Sequence, residues 1–424
     1  MNTPLSRRAL SSAALVAAEL AAWLACGSAA WAETNPYYLG VSESVASDSN
    51  LYRLGDGRAT PSSIKSKSDT SFTTALIGGI DQNWGRQRVS GSMSLRNSRY
   101  QHNDQLNYNG YGLNLGLDWT SVNNLSGNLS TSANSNLRRF DSTEQGALVS
   151  ARNIEDNRLL STTVRLGVVT RLTAEASASR RTVDFSADAY KTSAYRQNGY
   201  SLGGRYQFGG AASVGLAYRD TQTTSPRSNF GNDRRDIDLT ANWAPSGLSS
   251  VNARLSRTRS DYDIQTQNNF SGTTGELQGS SQVTGKLKLS ARLARDTGLS
   301  YSLFSFGSAS STANFNRTTT EARLAADYDF SSKIALTTSA SQYRRDLSTA
   351  LAANFTLGGK DRTTLLSLGG RWAPTRSVQL GCQIDHERRS TSGSNNSISS
   401  DISTSVSVPY GSQAYSCYGQ FTIQ

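Results

Sequence analysis

The feature that most constrains the fold of this chain is a repeated alternation of apolar and polar residues. From Tyr111 to Trp119 every second residue is apolar, and Gly, Asn or Asp occupies the positions between them. Successive side chains of a β-strand point to opposite faces, so this segment has one apolar and one polar face. Segments of the same kind begin at Leu160, Tyr200, Ile237, Leu287, Ala322 and Val378. The pattern therefore predicts a protein built from amphipathic β-strands.

The connections between the strands are predicted to alternate between short turns and long polar loops. Short turns are expected near Gly85, Asn123, Arg171, Gly209, Ser246, Gly285, Ser332 and Pro374. The hairpins around these turns, with a first strand near residues 37–46 and a last strand near 414–423, give about 18 strands. Residues 398–408 also alternate, and we assign them to the final outer loop because a further strand would make the count odd.

A membrane barrel accounts for this arrangement better than a soluble β-sandwich. Only 36% of the residues are hydrophobic, and a sandwich would seldom have such regular short and long connections. Outer-membrane barrels combine alternating strands with short periplasmic turns and long external loops. We predict an all-β fold, a transmembrane antiparallel up-and-down β-barrel in the outer membrane of a Gram-negative bacterium.

The N-terminal residues are predicted to be a targeting segment rather than part of the fold. Arg7 and Arg8 precede an Ala-rich apolar stretch, and Ala30, Trp31 and Ala32 form a small-x-small cleavage site. We therefore assign residues 1–32 to a signal peptide and residues 33–424 to the outer-membrane barrel. A lipoprotein signal, lipidated at Cys26, is the alternative.

The aromatic residues support the same topology. We expect Trp84, Trp119, Trp243 and Trp372 to lie at the short-turn ends of their strands, joined there by Phe208, Phe330 and Phe421. Indole rings favour the headgroup level of a bilayer. These residues are predicted to form an aromatic belt at the periplasmic interface.

The formal net charge of +11 points to anionic partners. Because the chain is predicted to be exported, lipopolysaccharide phosphate or an acidic polymer is expected rather than nucleic acid. Arginines are expected at the outer ends of the ascending strands, as a basic ring of Arg53, Arg99, Arg138, Arg180, Arg219, Arg257, Arg295, Arg344 and Arg388. This ring either contacts lipopolysaccharide and neighbouring acidic residues or guides an anionic polymer through the mouth.

Charged residues of the opposite parity are expected to line the lumen. The basic ones are Arg88, Arg165, Arg205, Arg254, Lys286, Lys288, Arg292, Arg323 and Arg371. The acidic ones are Asp118, Glu175, Asp236, Asp238, Glu276, Glu321, Asp327, Asp329 and Asp385. We therefore predict a polar lumen of nearly balanced charge, which suits a sliding sugar chain and a general porin equally.

No catalytic residue, metal site or cofactor is predicted. The chain has two histidines: His102 falls in a polar outer loop, and His386 lies beside Asp385 near the top of a strand. Zinc-ligand spacings, phosphate-binding loops and dinucleotide fingerprints do not occur in the sequence. A non-enzymatic protein is expected.

Cys382 and Cys417 fall on the last two predicted strands and share the lipid-facing parity. Neighbouring strands in an oxidising periplasm permit a cross-strand disulfide. Two free cysteines acting as small apolar residues are the alternative.

The start of the barrel carries a resemblance to a known family. A first strand from Tyr37 is followed by Asp48, Asn50, Tyr52 and Arg53 in the order Asp-x-Asn-Leu-Tyr-Arg. This segment resembles the EpsL-type outer-membrane proteins of exopolysaccharide biosynthesis operons, in the putative β-barrel porin superfamily. The resemblance implies export of a secreted exopolysaccharide, with a periplasmic polysaccharide-export protein and inner-membrane synthesis machinery as partners. A diffusion porin for small solutes and a structural or adhesive barrel are the alternatives.

Overall fold

A computed structural model gives the architecture of the chain. It describes residues 35–57, 60, 62, 64–122, 124–140, 152–167, 171–227, 230–263, 269–297, 317–352, 355–392 and 409–423. The predicted signal peptide and the alternating segment 398–408 lie outside the described residues.

Eighteen strands account for most of the described chain. They are β1 (Tyr37–Asp48), β2 (Asp69–Trp84), β3 (Gln87–Tyr100), β4 (Tyr108–Thr120), β5 (Leu125–Leu137), β6 (Ile154–Leu166), β7 (Leu172–Phe185), β8 (Tyr195–Phe208), β9 (Ala212–Ser225), β10 (Phe230–Ser246), β11 (Ser249–Tyr262), β12 (Phe270–Gln282), β13 (Leu287–Thr297), β14 (Arg317–Asp329), β15 (Ile334–Ala352), β16 (Phe355–Trp372), β17 (Val378–Ser392) and β18 (Tyr410–Ile423). Two short 3-10 helices, Asp104–Leu106 and Asp188–Ser193, follow β3 and β7. Within the described part of the chain, no helix has the length and apolar character needed to cross a membrane.

The strands form one closed antiparallel barrel. Each strand pairs with the next along the chain, and β18 pairs with β1 from Leu39 opposite Ile423 to Asp48 opposite Ala414. Closure gives every described strand a partner on both sides, as a hydrocarbon environment requires. The predicted fold class and the count of eighteen strands are confirmed.

The two faces of the barrel wall differ in polarity. Leu202, Tyr218 and Ile237 lie opposite one another on adjacent strands and point outward, where Leu202 is 68% exposed. On the inner face Asp236 and Thr258, also opposite each other, are fully buried. An apolar exterior around a polar interior is the reverse of a soluble protein. The chain therefore forms a transmembrane barrel.

The short turns lie at the predicted positions, all at one end of the barrel. Gly85 and Gly209 adopt positive φ values of 61° and 60° there, which glycine tolerates best. The opposite, outer end differs from the prediction in two places. Only residues 226–229 separate β9 from β10, and residues 353–354 separate β15 from β16. The strands are longer there instead of being joined by long loops. Backbone pairing can continue in water, where a strand does not need an apolar face.

All four tryptophans of the barrel point outward at the short-turn end. Trp84, Trp243 and Trp372 are each about half exposed on the lipid-facing side. Trp119 lies over Gly127 on the neighbouring strand β5, where an added Cβ would stand 2.4 Å from the indole ring. The four rings lie at the end of the barrel where the periplasmic aromatic belt is predicted.

A disulfide joins Cys382 of β17 to Cys417 of β18. The two residues lie directly opposite each other in the strand register. Both point to the lipid-facing side, as their parity predicts.

This bond gives a simple mass prediction. Protein denatured without reductant is expected to take up no alkylating reagent at Cys382 or Cys417, and two equivalents after reduction. A Cys417→Ser variant serves as the control, because its remaining Cys382 should react without reductant. Full alkylation of the unreduced wild-type protein would show that the bond does not form.

Candidate functional site: the lumen and its outer mouth

The charged residues predicted for the lumen lie on the inner face of the barrel. Arg88 opposes Asp118, Arg165 opposes Glu175, and Lys288 opposes Asp327. Each pair alternates with outward apolar residues on the same strands. The wall of the lumen therefore carries both signs of charge in adjacent positions.

On one side of the lumen these charges form a ladder of alternating sign, which we call the charge ladder. It consists of Arg165, Glu175 and Arg205 on β6–β8, and of Asp238, Arg254, Glu276, Arg292 and Glu321 on β10–β14. Glu276 lies 2.9 Å from Arg292 and 3.9 Å from Arg254, and Arg292 lies 2.8 Å from Glu321. Strand-to-strand alternation neutralises the wall locally while keeping it hydrophilic.

The charge ladder is interrupted at β9, where small residues leave a groove in the wall. Gly203, Gly215 and Ala217 line a cavity of 340 Å³ that Arg205 and Glu276 also border. A side chain at Gly215 would meet the Thr240 hydroxyl, 2.7 Å from the added Cβ. The groove offers a solute both charges and hydrogen-bonding groups.

Removing one carboxylate of the ladder is expected to change ion selectivity. Glu276→Gln leaves Arg254 and Arg292 with less negative charge nearby, so anions should be favoured. The reversal potential under a salt gradient across a planar bilayer measures this shift. Glu43→Gln is a matched control because Glu43 lies on the outward face of β1, opposite Thr74. An equal shift in both variants would show that the ladder does not set selectivity.

At the outer end, contacts cross the lumen. Arg139, which follows β5, forms an ion pair with Glu387 of β17. These two strands are six places apart in the barrel, or about 29 Å along the wall. Residues 138–140 therefore reach inward over the lumen. The cluster of Asp48, Arg53, Arg139, Glu387 and Tyr410 is called the mouth cluster below.

Glu387 is the centre of the mouth cluster. It is 4% exposed and faces Leu365 and Ser412 on the inner wall. Its carboxylate lies 3.2 Å from Nε of Arg53 and accepts a 2.7 Å hydrogen bond from the Tyr410 hydroxyl. One buried acid thus holds arginines from two outer loops.

The segment from Asp48 to Arg53 forms the turn that brings the first outer loop over the mouth. Asn50 donates to the carbonyl oxygens of Leu54 and Gly411, at 2.9 and 3.0 Å. Arg53 has a positive φ of 55° and lies 2.8 Å from the Asp48 carboxylate. The residues that carry the family resemblance therefore have a structural role, in which they attach the loop to β1 and β18.

Burial and neighbouring charges shift the pKa values of two residues in this turn, Arg53 and Tyr52. Burial disfavours the charged form of Arg53, but the carboxylates of Glu387 and Asp48 outweigh it and raise the Arg53 pKa. Burial raises the pKa of Tyr52 to about 12. Tyr52 remains neutral and accepts a 3.1 Å hydrogen bond from the Gln105 amide.

Apolar side chains pack the same loop against its neighbours. Tyr52, Leu54, Ile64 and Leu106 form a buried cluster, and the Phe140 ring lies 4.5 Å from the Tyr52 ring. Beside the mouth cluster, a cavity of 350 Å³ remains between strands β1, β3, β5 and β16–β18. The described loops narrow the mouth.

The nine arginines predicted as a rim ring do not lie on one face. Six point outward and are exposed: Arg99, Arg180, Arg257, Arg295, Arg344 and Arg388. Arg53, Arg138 and Arg219 point inward instead. Arg138 stacks on the Tyr190 ring at 4.3 Å, and Arg219 lies 3.1 Å from Asp238. The outward set faces the exterior of the barrel and the inward set faces the lumen, so the nine arginines cannot act as one ring.

His386 does not form a catalytic pair with the neighbouring Asp385. His386 points to the lipid side, opposite Leu366, whereas Asp385 points into the lumen opposite Ser367. His102 is half exposed in an outer loop, with its Nδ1 atom 3.4 Å from Asp69. Among the described residues, no group of three or more His, Cys, Asp or Glu side chains is placed to hold a metal ion.

Sequence patterns do not predict the contacts of Arg139 and Tyr410 or the pairing of Arg345 with Asp361. Arg345 donates two hydrogen bonds to Asp361, at 2.7 and 2.6 Å, on the inner wall of β15 and β16. The parity of Glu387 matches that of Asp385 and places it in the lumen. Its two arginine partners, Arg53 and Arg139, come from loops, for which alternation gives no register.

A closed eighteen-stranded barrel with an apolar exterior and a charged lumen defines the class of this chain, which is an outer-membrane β-barrel. No protein-family model and no curated protein matches the sequence. Among solved structures, OpdK of Pseudomonas aeruginosa, determined with vanillate, is 13% identical with a TM-score of 0.45, covering 91% of this chain and 98% of its own. OpdQ of the same organism is 10% identical with a TM-score of 0.47, covering 92% and 99%. The siderophore receptor PirA is 11% identical with a TM-score of 0.39, covering 93% and 81%. These similarities are too weak to carry an argument about substrate.

Proposed function

We propose that this protein is an outer-membrane channel for small hydrophilic solutes. The observation that carries the proposal is the mouth cluster, in which Arg139 and Glu387 meet across the lumen. A lumen of this strand number encloses water unless loops fold inward. Here loops do fold inward, and a lumen narrowed in this way suits small polar molecules better than a polymer.

The wall below the mouth supports the same function. The charge ladder presents ion pairs on adjacent strands, and the groove beside Gly215 provides space within it. There, solutes with hydrogen-bonding groups can replace their hydrogen bonds to water with hydrogen bonds to the wall at little cost in free energy. A balanced wall binds neither cations nor anions tightly, which permits diffusion.

Export of a secreted exopolysaccharide is the second candidate. The resemblance of residues 48–53 to EpsL-type proteins favours it, and it would bring a periplasmic polysaccharide-export protein and inner-membrane synthesis machinery as partners. Against it, the same residues hold a loop over the mouth through Asn50 and Arg53. A polymer would have to displace that loop.

A deletion strain distinguishes the two functions. The channel proposal predicts slower permeation of a small periplasmically hydrolysed reporter, with an unchanged amount of polysaccharide at the cell surface. The reintroduced gene should restore permeation. Normal permeation together with polysaccharide trapped in the periplasm would reject the channel and favour export.

A further inference from the structure

Three outward arginines lie close together near the outer rim, on adjacent strands. Arg344 of β15 is directly opposite Arg362 of β16. Arg388 of β17 is opposite Thr364, two residues along β16 from Arg362. Such positions place Cβ atoms about 5 Å apart for the direct pair and 7–8 Å apart for the diagonal one. We call these residues the arginine triad.

The arginine triad forms no ion pair with an acid in the described part of the chain. No carboxylate of the described residues lies within 4.0 Å of Arg344, Arg362 or Arg388. Asp346, on the same face, lies 4.0 Å from Lys360 instead. Like charges directly opposite each other destabilise a sheet. An arrangement of this kind is favourable when an external anion binds between the guanidinium groups.

Below the triad, the lipid-facing surface has an apolar groove of 910 Å³. Gly279, Ala291 and Ala340 lie in one cross-strand row of its lining, with Leu324 of β14 between the two alanines. Leu366 continues that row on β16. Ala340 and Leu366 lie four residues along their strands from Arg344 and Arg362, which is about 13 Å.

We propose that the triad and groove together bind a phosphorylated glycolipid of the outer leaflet. The phosphate lies between the guanidinium groups of the triad, and acyl chains occupy the groove beneath. The positive charge of the triad favours an anionic headgroup. The apolar groove favours a molecule that also has acyl chains. An acidic polymer would use the triad alone. This inference is independent of what passes through the lumen.

Retention of lipopolysaccharide by the purified, detergent-exchanged barrel tests the proposal. The Arg344→Gln/Arg362→Gln variant is expected to bind lipopolysaccharide about tenfold more weakly than wild type. Arg235→Gln/Arg259→Gln removes another directly opposed outward pair, whose members lie 3.8 Å from Asp220 and 2.9 Å from Asp261, and should bind as wild type does. Native mass spectrometry counts bound lipid, and heat-modifiable migration verifies that each variant is folded. Equal weakening in both variants would overturn the proposal.

Two further measurements separate the headgroup from the chains. Ala340→Trp fills the groove without changing charge and is expected to weaken binding of the intact glycolipid. Unchanged binding would contradict the proposal that acyl chains occupy the groove. Inorganic phosphate at millimolar concentration is expected not to displace the lipid. Displacement by phosphate would show that the triad binds free anions rather than a lipid.

Discussion

Glu387→Gln is expected to raise the single-channel conductance severalfold and to destabilise the outer mouth. Glu387 contacts arginines of two loops, Arg53 and Arg139, and it is buried with Arg53. An amide cannot neutralise either guanidinium, and breaking a buried ion pair costs about 3–5 kcal/mol. We therefore expect both loops to leave the lumen, which widens its narrowest part. Planar-bilayer recordings of purified protein give the conductance.

A control for this variant lies on the same strand. Asp385 also faces the lumen, but its oxygen accepts hydrogen bonds from Ser367 and Gln383, at 2.5 and 2.7 Å, within the wall. Asp385→Asn makes the same chemical change without releasing a loop. If the two variants conduct equally, the mouth cluster does not restrict the lumen.

The second large effect is expected at the buried pair of β15 and β16. Arg345 and Asp361 are 2% and 0% exposed in their side chains and form two parallel hydrogen bonds. Arg345→Met leaves the Asp361 charge uncompensated and should lower the free energy of unfolding by about 3–5 kcal/mol. Arg345→Met/Asp361→Leu should recover most of that loss, because neither charge then remains buried. Urea titration of the barrel in lipid vesicles measures both values.

Arg344→Met is the matched comparison for this pair. Arg344 precedes Arg345 and points outward to the exposed face, so its loss should change the unfolding free energy little. An Arg345→Met variant as stable as Arg344→Met would contradict a stabilising role for the buried pair.

Alternation along the sequence was sufficient to predict most of the fold. The segment from Tyr111 to Trp119 indicates which face meets lipid, and the positions of the short turns give the strand count. The ends of strands beyond the bilayer could not be predicted in the same way. β15 and β16 extend to Ala352 and Phe355, because backbone pairing in water does not require an apolar side.

The residues that line the lumen could be predicted from their odd or even positions along the strands, whereas the contacts at the mouth could not. Arg219 alternates with the apolar Tyr218, so its inward direction was available from the sequence, although position near a strand end suggested the rim. Arg53 and Arg139 lie in loops, where no periodicity fixes direction. Their meeting with Glu387 depends on the closed barrel, which places distant segments across one opening.

The rate at which wild-type barrels in liposomes admit neutral sugars of increasing size tests the central claim most directly. A channel narrowed by the mouth cluster should admit monosaccharides readily, disaccharides more slowly and long dextrans not at all. Dextrans that pass as readily as monosaccharides, or liposomes that stay impermeable to every sugar, would contradict a small-solute channel.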